Sequence, residues 1–589
     1  MARGRRPIGA LVAVATAGST LALVAAPVDI AFAATITVET AMNADDGLCS
    51  LQEALENAND GPASNEECDP GGEGADTIVF EIAGTGPFEL ELANSAGLVI
   101  DDTVTIDATT QDGWSAGNPQ VVLDGQSYSG PVVDLSSATG VTLKGFRIVD
   151  TLDPEPGVQA GPGSTISQNV FGPDVNGAPT DLGTGVLVAG VSNVTVQANR
   201  IAGTRTAIQL TGTTTDVSIV GNVLGLDTDG TTSVPNRHGI LVGATPTEPN
   251  FEVVQVPATT HGLSIQDNVI ASSVTGSPHY AGYGMGLYAS SMIDTQIQGN
   301  LIGTDVTGQS ARPNGVGISI GWGSSGLGQI DAEIGGTNPG DRNVISGNLG
   351  EGIALWTEPS VYIRGNYLGV AADGTTPMPN NSGPVPDVDN GPLADEMPGF
   401  GNIVIRNYAS DNTIGGLQPG EGNVIANSPK AGIVAFTGSR NRFEGNSIYG
   451  NAGLGIDLGN VGPELNDVGD TDGDTSEGED PTYANNLQNW PYVVGTDFLP
   501  NGDLQVTTYV DSEPEETNGP VDVQIYESGP DGQGRRFLGH DTSDALPGNV
   551  TVTIPQAVLG SLTWGDRIVT LAVDDLGNTS EFSDAITLL

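Results

Sequence analysis

The chain has little positive charge, little sulfur and little aromatic surface, and each shortage removes possibilities. Only 18 lysines and arginines stand against 72 acidic residues, for a formal net charge of -54, and Lys144 and Lys430 are the only lysines. A field of that sign repels nucleic acid and anionic membranes. It argues, less strongly, against polyanionic glycans, unless a local arginine pocket overcomes the global field. The four histidines, His238, His261, His279 and His540, show no i,i+4 or other metal-ligand spacing. No Ser-His-Asp order, phosphate loop, haem motif or nucleotide fingerprint is present. After residue 33 no apolar run is long enough to span a bilayer. Beyond one short segment helical periodicity is absent, and 85 glycines would be costly inside helices.

Residues 1–33 read as a signal peptide. Arg3, Arg5 and Arg6 give a basic start, and an apolar, small-residue run leads to Ala31-Phe32-Ala33. Secretion is therefore expected, with the protein extracellular or loosely associated with a cell surface. An extracellular chain permits Cys49 and Cys68, the only cysteines, to pair. Closing a loop of that size adds about 3 kcal/mol if unstrained. Between them, Ser50 and Glu53 form a capping box, and Leu51, Ala54, Leu55 and Ala58 make one apolar helix face. Residues 34–74 are expected to be an N-terminal cap.

What fills the rest of the chain is a recurrent phrase: an apolar residue, one or two small or polar residues, Asn, two more apolar residues, Gly. It occurs as Ile166 to Gly172, again around Asn199, as Ile219 to Gly225, around Asn268, and as Ile297 to Gly303. Later copies centre on Asn348, Asn366, Asn423 and Asn446. A repeat this short cannot bury its own apolar face, so the copies must stack. Short β-branched strands meeting at glycine turns predict a parallel solenoid over 75–490 that rises one strand spacing per coil. Residues at equal phase then lie above each other, and the asparagines are expected to form a ladder that bonds bend backbone. A ligand-binding asparagine stripe is the competing reading.

Larger loops recur within this pattern. Gly172 to Gly177, Gly225 to Gly230, Gly303 to Gly308 and Gly369 to Gly374 share one glycine spacing, and three continue to Pro235-Asn236, Pro313-Asn314 and Pro379-Asn380. They should project from one side of the coil, where solenoids often carry their recognition surface. Their aspartates suit either calcium or turn stabilisation, and Ala371 shows the loop surviving without one at that position. In the acidic segment that follows the coils, Asp470, Asp472 and Asp474 alternate around Gly473. Hard oxygen ligands so spaced suit calcium, the one cofactor the sequence suggests, with a solvated linker as the alternative. From 491 to 589 strands of alternating character predict a small Ig-like antiparallel β-sandwich.

Cys49-Ser50-Leu51-Gln52-Glu53-Ala54 resembles the Cys-Ser-Leu-Arg-Glu-Ala motif near the N-terminus of bacterial secreted and surface right-handed parallel β-helix proteins. Ile334-Gly335-Gly336-Thr337, Gly453 to Gly459 and the closing Gly577 to Ser583 look like later parts of the same group. The resemblance implies an all-β, right-handed parallel β-helix of pectin-lyase-like fold with a capping helix and a C-terminal sandwich. Gln52 departs from the arginine usual in the motif.

That architecture hosts enzymes, adhesins and spacers alike. The expected function is recognition or adhesion at an extracellular polysaccharide or cell-surface glycan, by a chain acting as a monomer. Trp322 and Trp356 can stack on sugar rings, and Tyr280 and Tyr283, with Tyr288 and His279, form a candidate rim. The alternatives are a polysaccharide lyase or glycoside hydrolase, for which Arg237-His238 is the pair at a loop exit, and a rigid spacer. No catalytic residue is assigned from sequence.

Overall fold

The computed structural model describes residues 33–589 except 45, 61–63, 93–96, 127–128, 152–154, 179, 181, 247–252, 257, 275–283, 322–329, 357–359, 384–399, 460–461, 471–473, 476–477, 480–481 and 513–518. The signal peptide expected over residues 1–33, save Ala33, thus lies outside the described part. Among the described residues no helix is long and apolar enough to cross a membrane.

The chain winds as a right-handed parallel β-helix with three strands per coil, one for each face. Asp76–Phe80, Phe88–Glu89 and Leu98–Val99 make one coil, and Val104–Asp107, Val121–Gly125 and Val133–Asp134 stack on it in parallel. The second face is a sheet of 12 strands; the first and third are joined into one 26-stranded array because Thr204–Thr215 runs round the corner between them. In-register pairing puts like residues above like. Ile78, Ile106, Leu143, Ile166, Val196 and Ile219 follow each other up the interior, all 0 % exposed. Burying each contributes roughly 1.5–3 kcal/mol.

The asparagines do form ladders, two of them long among the described residues. In the first, each amide donates to the carbonyl above it through Asn169, Asn199, Asn222, Asn268, Asn300, Asn343, Asn366, Asn423 and Asn446, at 2.9–3.2 Å. The same carbonyls accept the main-chain N–H of the rung below. The buried bends along this column are thereby satisfied within the protein. Asn348, expected in this ladder, belongs to the second, which runs Asn314, Asn348, Asn380, Asn402 and Asn451. The residue that takes its place in the first ladder is Asn343.

At the N-terminal end the first rung, Thr35–Val38, pairs with Asp76–Phe80, so the helix Leu51–Asp60 is inserted between two rungs. Ser50 N–H donates to Glu53 Oε2 at 2.9 Å and Glu53 N–H to Ser50 Oγ at 3.4 Å, the reciprocal cap read from sequence. Leu51, Ala54, Leu55 and Ala58 are buried, and Cys49 is bonded to Cys68. Fully buried Asn57 ties the cap together, donating to the Asn65 and Asp69 carbonyls and accepting from Ser64 and Asn65 N–H.

The C-terminal sandwich has antiparallel sheets of three and four strands. Its own core includes Leu504, Val506, Val523, Ile525, Val552 and Ile568. The outer face of the larger sheet serves the β-helix: Tyr526, Val569, Leu571 and Val573 belong to the apolar cluster of the coils. The closing segment plugs the last coil. Thr579 Oγ1 accepts from Phe443 N–H, Asn578 Oδ1 from Arg440 N–H, and Glu581 from Leu458 and Glu464 N–H. Phe582 lies so close to Gly455 that a Cβ there would meet its ring at 2.9 Å.

Candidate functional site

The four enlarged loops leave the ends of second-face strands, and three are built alike. Leu226 with Ser233, Thr304 with Ala311 and Val370 with Pro377 close the same antiparallel bridge. Aspartates hold the tips. Asp305 Oδ1 accepts from Thr307 N–H and Oγ1, and Asp229 Oδ1 from Thr231 and Thr232 N–H. In the loop that has Ala371, Asp373 does this work, accepting from the N–H groups of Thr375 and Thr376. Hydrogen bonds from Thr376 and Thr375 hold the Asp373 carboxyl down at about 2. These carboxylates stabilise turns, the alternative read beside calcium.

The loops sit on every second coil and stack along one side. Between them, the loopless turns donate upward to the next loop's exit: Gly203 N–H to Val234, Ser272 N–H to Arg312 and Gly347 N–H to Met378 carbonyls. The second and third loops are bridged by Val306 N–H to Gly230 carbonyl at 3.2 Å, the third and fourth by Ala372 N–H to Gly308 carbonyl at 2.9 Å. Among the described residues no such bond joins the first loop to the second, where Thr228 and Gly177 hold the corresponding places.

A cleft of about 500 Å³ opens in that gap. Its floor follows from register: Arg147 pairs with Val170 and Val170 with Arg200, so both arginines stand in one column on the outer face. Arg147 Nη1 donates to the Pro173 and Asp174 carbonyls at 2.7 and 2.9 Å, and Arg200 Nη1 to the Asp227 carbonyl at 3.0 Å. Each arginine thus pins the loop on the following coil. Gly117 and Asn118 reach in from an early turn; a Cβ on Gly117 would meet Thr228 Cβ at 3.2 Å. Burial lowers the basicity of both guanidiniums, opposed by Asp174 at Arg147 and by Asp227 and Asp229 at Arg200. The Asp174 carboxyl is held low chiefly by Ala178 N–H; Asp227 is raised by burial and by its neighbour Asp229.

The residues singled out from sequence do not meet in this cleft. Trp322, Tyr280, Tyr283, His279 and Asp472 lie outside the described residues, as does the side chain of Asp474. Trp356 ends the strand Ile353–Trp356, and the Arg406 guanidinium carbon lies 5.0 Å from its ring centre. Arg406 also faces Phe400 and Phe436 and pairs with buried Glu351 at 3.1 Å, so Trp356 is one wall of a cation–aromatic cage. Tyr288 is fully buried. Asp470 is 8 % exposed, and its carboxylate accepts from Asn489 N–H, Gln488 Nε2 and Ser512 Oγ. His238 is buried beside Met285, whose N–H approaches Nδ1 at 3.5 Å; burial, with Arg237 adding, depresses it to about 3 and keeps it neutral.

A second cleft, about 330 Å³, lies where the sandwich meets the last coils, lined by Glu464, Glu581, Trp490, Phe582 and Arg567 among others. Burial raises the Glu464 and Glu581 carboxyls, Glu581 to about 8. Sequence reasoning missed both clefts, because each joins residues far apart in the chain.

No known protein family matches the sequence, and no curated protein matches it either. Among solved structures the chain is similar to the A-module of the Azotobacter vinelandii mannuronan C-5 epimerase AlgE4, at 13 % identity and TM-score 0.37, covering 70 % of this chain and 88 % of that one. It is similar also to a mutant tailspike protein of E. coli bacteriophage HK620 in complex with a pentasaccharide, at 11 % identity and TM-score 0.31, covering 82 % and 86 %. No residue role is transferred from either to this chain.

Proposed function

We propose that this is a secreted or cell-surface protein for extracellular recognition, binding carbohydrate along its loop-bearing side. The observation that carries the reading is the ridge of stacked loops, interrupted once by a cleft whose floor holds two arginines with unused donors. The cleft volume suits a small polar group, within the usual range of about 300–1,000 Å³. The asparagine ladders, by contrast, are spent on bends inside the coil.

Polysaccharide cleavage is a second reading, favoured by the two carboxyls with raised pKa in the interdomain cleft. Glu581 would there be the protonated partner that glycoside hydrolysis needs. Calcium at the acidic segment beyond Asp470 is proposed from the sequence spacing alone.

The deciding experiment is a glycan screen of the protein with and without calcium, reading both retention and release of reducing or unsaturated ends. Retention without products supports recognition. Product release that stops in Glu581→Gln moves the assignment to the interdomain cleft. A broad panel giving neither leaves the rigid-spacer reading standing.

A further inference from the structure

We infer that the cleft between the first and second loops is an oxyanion site, taking a single carboxylate or sulfate carried on a glycan; this rests on the recognition reading above. The argument begins with donors. Arg147 is 3 % exposed and uses Nη1 for the loop, while its buried Nε has no hydrogen-bond partner. Arg200 likewise spends Nη1 on the Asp227 carbonyl. Among the described residues neither guanidinium makes an ion pair with a carboxylate, in a chain where 72 acidic residues compete for 18 cations.

The nearby carboxylates are committed elsewhere. Asp174 accepts from Asn176 and Ala178 N–H, Asp227 from Asp229 and Thr232 N–H, and Asp229 from Thr231 and Thr232. Their charges moderate the local field without occupying the guanidinium forks. A guanidinium with uncommitted donors matches the oxygens of a carboxylate or sulfate, and a partly desolvated site strengthens that bond. The lining beyond the arginines mixes polar Asn118, Asn176 and Thr228 with the exposed apolar side chain of Val175. Because the whole chain repels polyanions, the site suits an isolated charge better than a dense run of them.

The test titrates the whole protein with glucuronate, glucose 6-sulfate and glucose. The expected result is binding of at least one anionic probe with glucose weaker by about tenfold or more. Whichever anionic probe binds tighter identifies the source of the group. Val175→Asp places a negative charge at the rim, on a side chain 49 % exposed that holds no loop bond. It should weaken the anionic probes about tenfold and leave the melting temperature unchanged. Arg200→Gln should abolish binding, and Arg200→Lys should restore part of it.

Glucose bound as tightly as the better of the two anions, no binding of either anion, or indifference to Val175→Asp would overturn the oxyanion assignment. Glycan retention in the screen above would survive those results. Glucuronate bound in the cleft by a protein that retains no glycan would instead keep this assignment and remove the recognition reading.

Discussion

Asn451 donates its side-chain amide to the Gln533 carbonyl at 2.9 Å, across the boundary between the coils and the sandwich. The second asparagine ladder therefore does not stop at the last coil: a glutamine from the other domain supplies its final rung. Gln533 Nε2 returns bonds to the main-chain carbonyls of Asn451 and Gly453. The first coil-to-sandwich contact to test is this one.

Gln533→Leu should take the acceptor from Asn451 N–H and the donor from the buried Asn451 carbonyl, leaving the Asn451 side-chain amide only the Ile425 carbonyl. The expected cost is about 1–3 kcal/mol, concentrated at the C-terminal coils. Hydrogen exchange should show Asn451 to Gly455 losing protection while Asn199 and Asn222 keep theirs. Uniform loss along the solenoid would mean that the ladder unfolds as one unit.

Asn300→Asp removes both donors of a central rung, which reach the Ile265 carbonyl and Asn343 Oδ1 at 2.8 and 2.9 Å. It also places a carboxylate against those oxygens. A loss of about 3 kcal/mol or more is expected from the shift in urea midpoint at unchanged slope. A loss below 1 kcal/mol, on the order of an exposed polar change, would contradict the burial argument.

Glu581 predicts a pH dependence of domain docking. Burial pushes its carboxyl to about 8 from an ordinary 4.5, with main-chain donation by Leu458 and Glu464 opposing. The folded state holds the proton more tightly, so this stability is complete below the ordinary value and is lost as pH rises through about 8. Melting should occur at lower temperature near about pH 9 than near about pH 5, and Glu581→Gln should flatten the difference. An unchanged slope in that variant assigns the effect to another group.

Asp373 predicts the opposite sign at the opposite end of the scale. Its carboxyl is depressed to about 2 from 3.8, so its contribution is present above the ordinary value and fades as pH falls through about 2. The fourth loop has Ala371 where the second has Asp227, so it has no second turn carboxylate at that place. Asp373→Ala should raise amide exchange at Gly374 to Thr376 more than Asp229→Ala does at Gly230 to Thr232.

The parallel coil was legible because its cause is local: a strand-length apolar phrase, a glycine, and an asparagine that satisfies the bend. The same locality explains the misplacement of Asn348. Ile345-Ser346-Gly347-Asn348-Leu349 imitates the phrase, but it lies one corner further round the coil than Asn300 or Asn366. Asn343 was hidden because residues 336–341 separate it from the strand that precedes it in the phrase. The loops on one side were readable from their glycine spacing. The cleft was not, since it results from a bond that two loops fail to make and from arginines aligned only by strand register. Trp356 looked available for a ligand because sequence does not show Arg406 arriving beside it on the next rung of the same face.

Loops on alternate coils give the ridge a graduation of about 9.6 Å, twice the strand spacing. The outer side is thus a ruler, not merely a wall. A chain-like partner whose own repeat matches that graduation can engage successive loops at once and gain avidity with each. Under the recognition proposed above, a partner of mismatched repeat would meet one loop at a time, and the winding itself would select by periodicity.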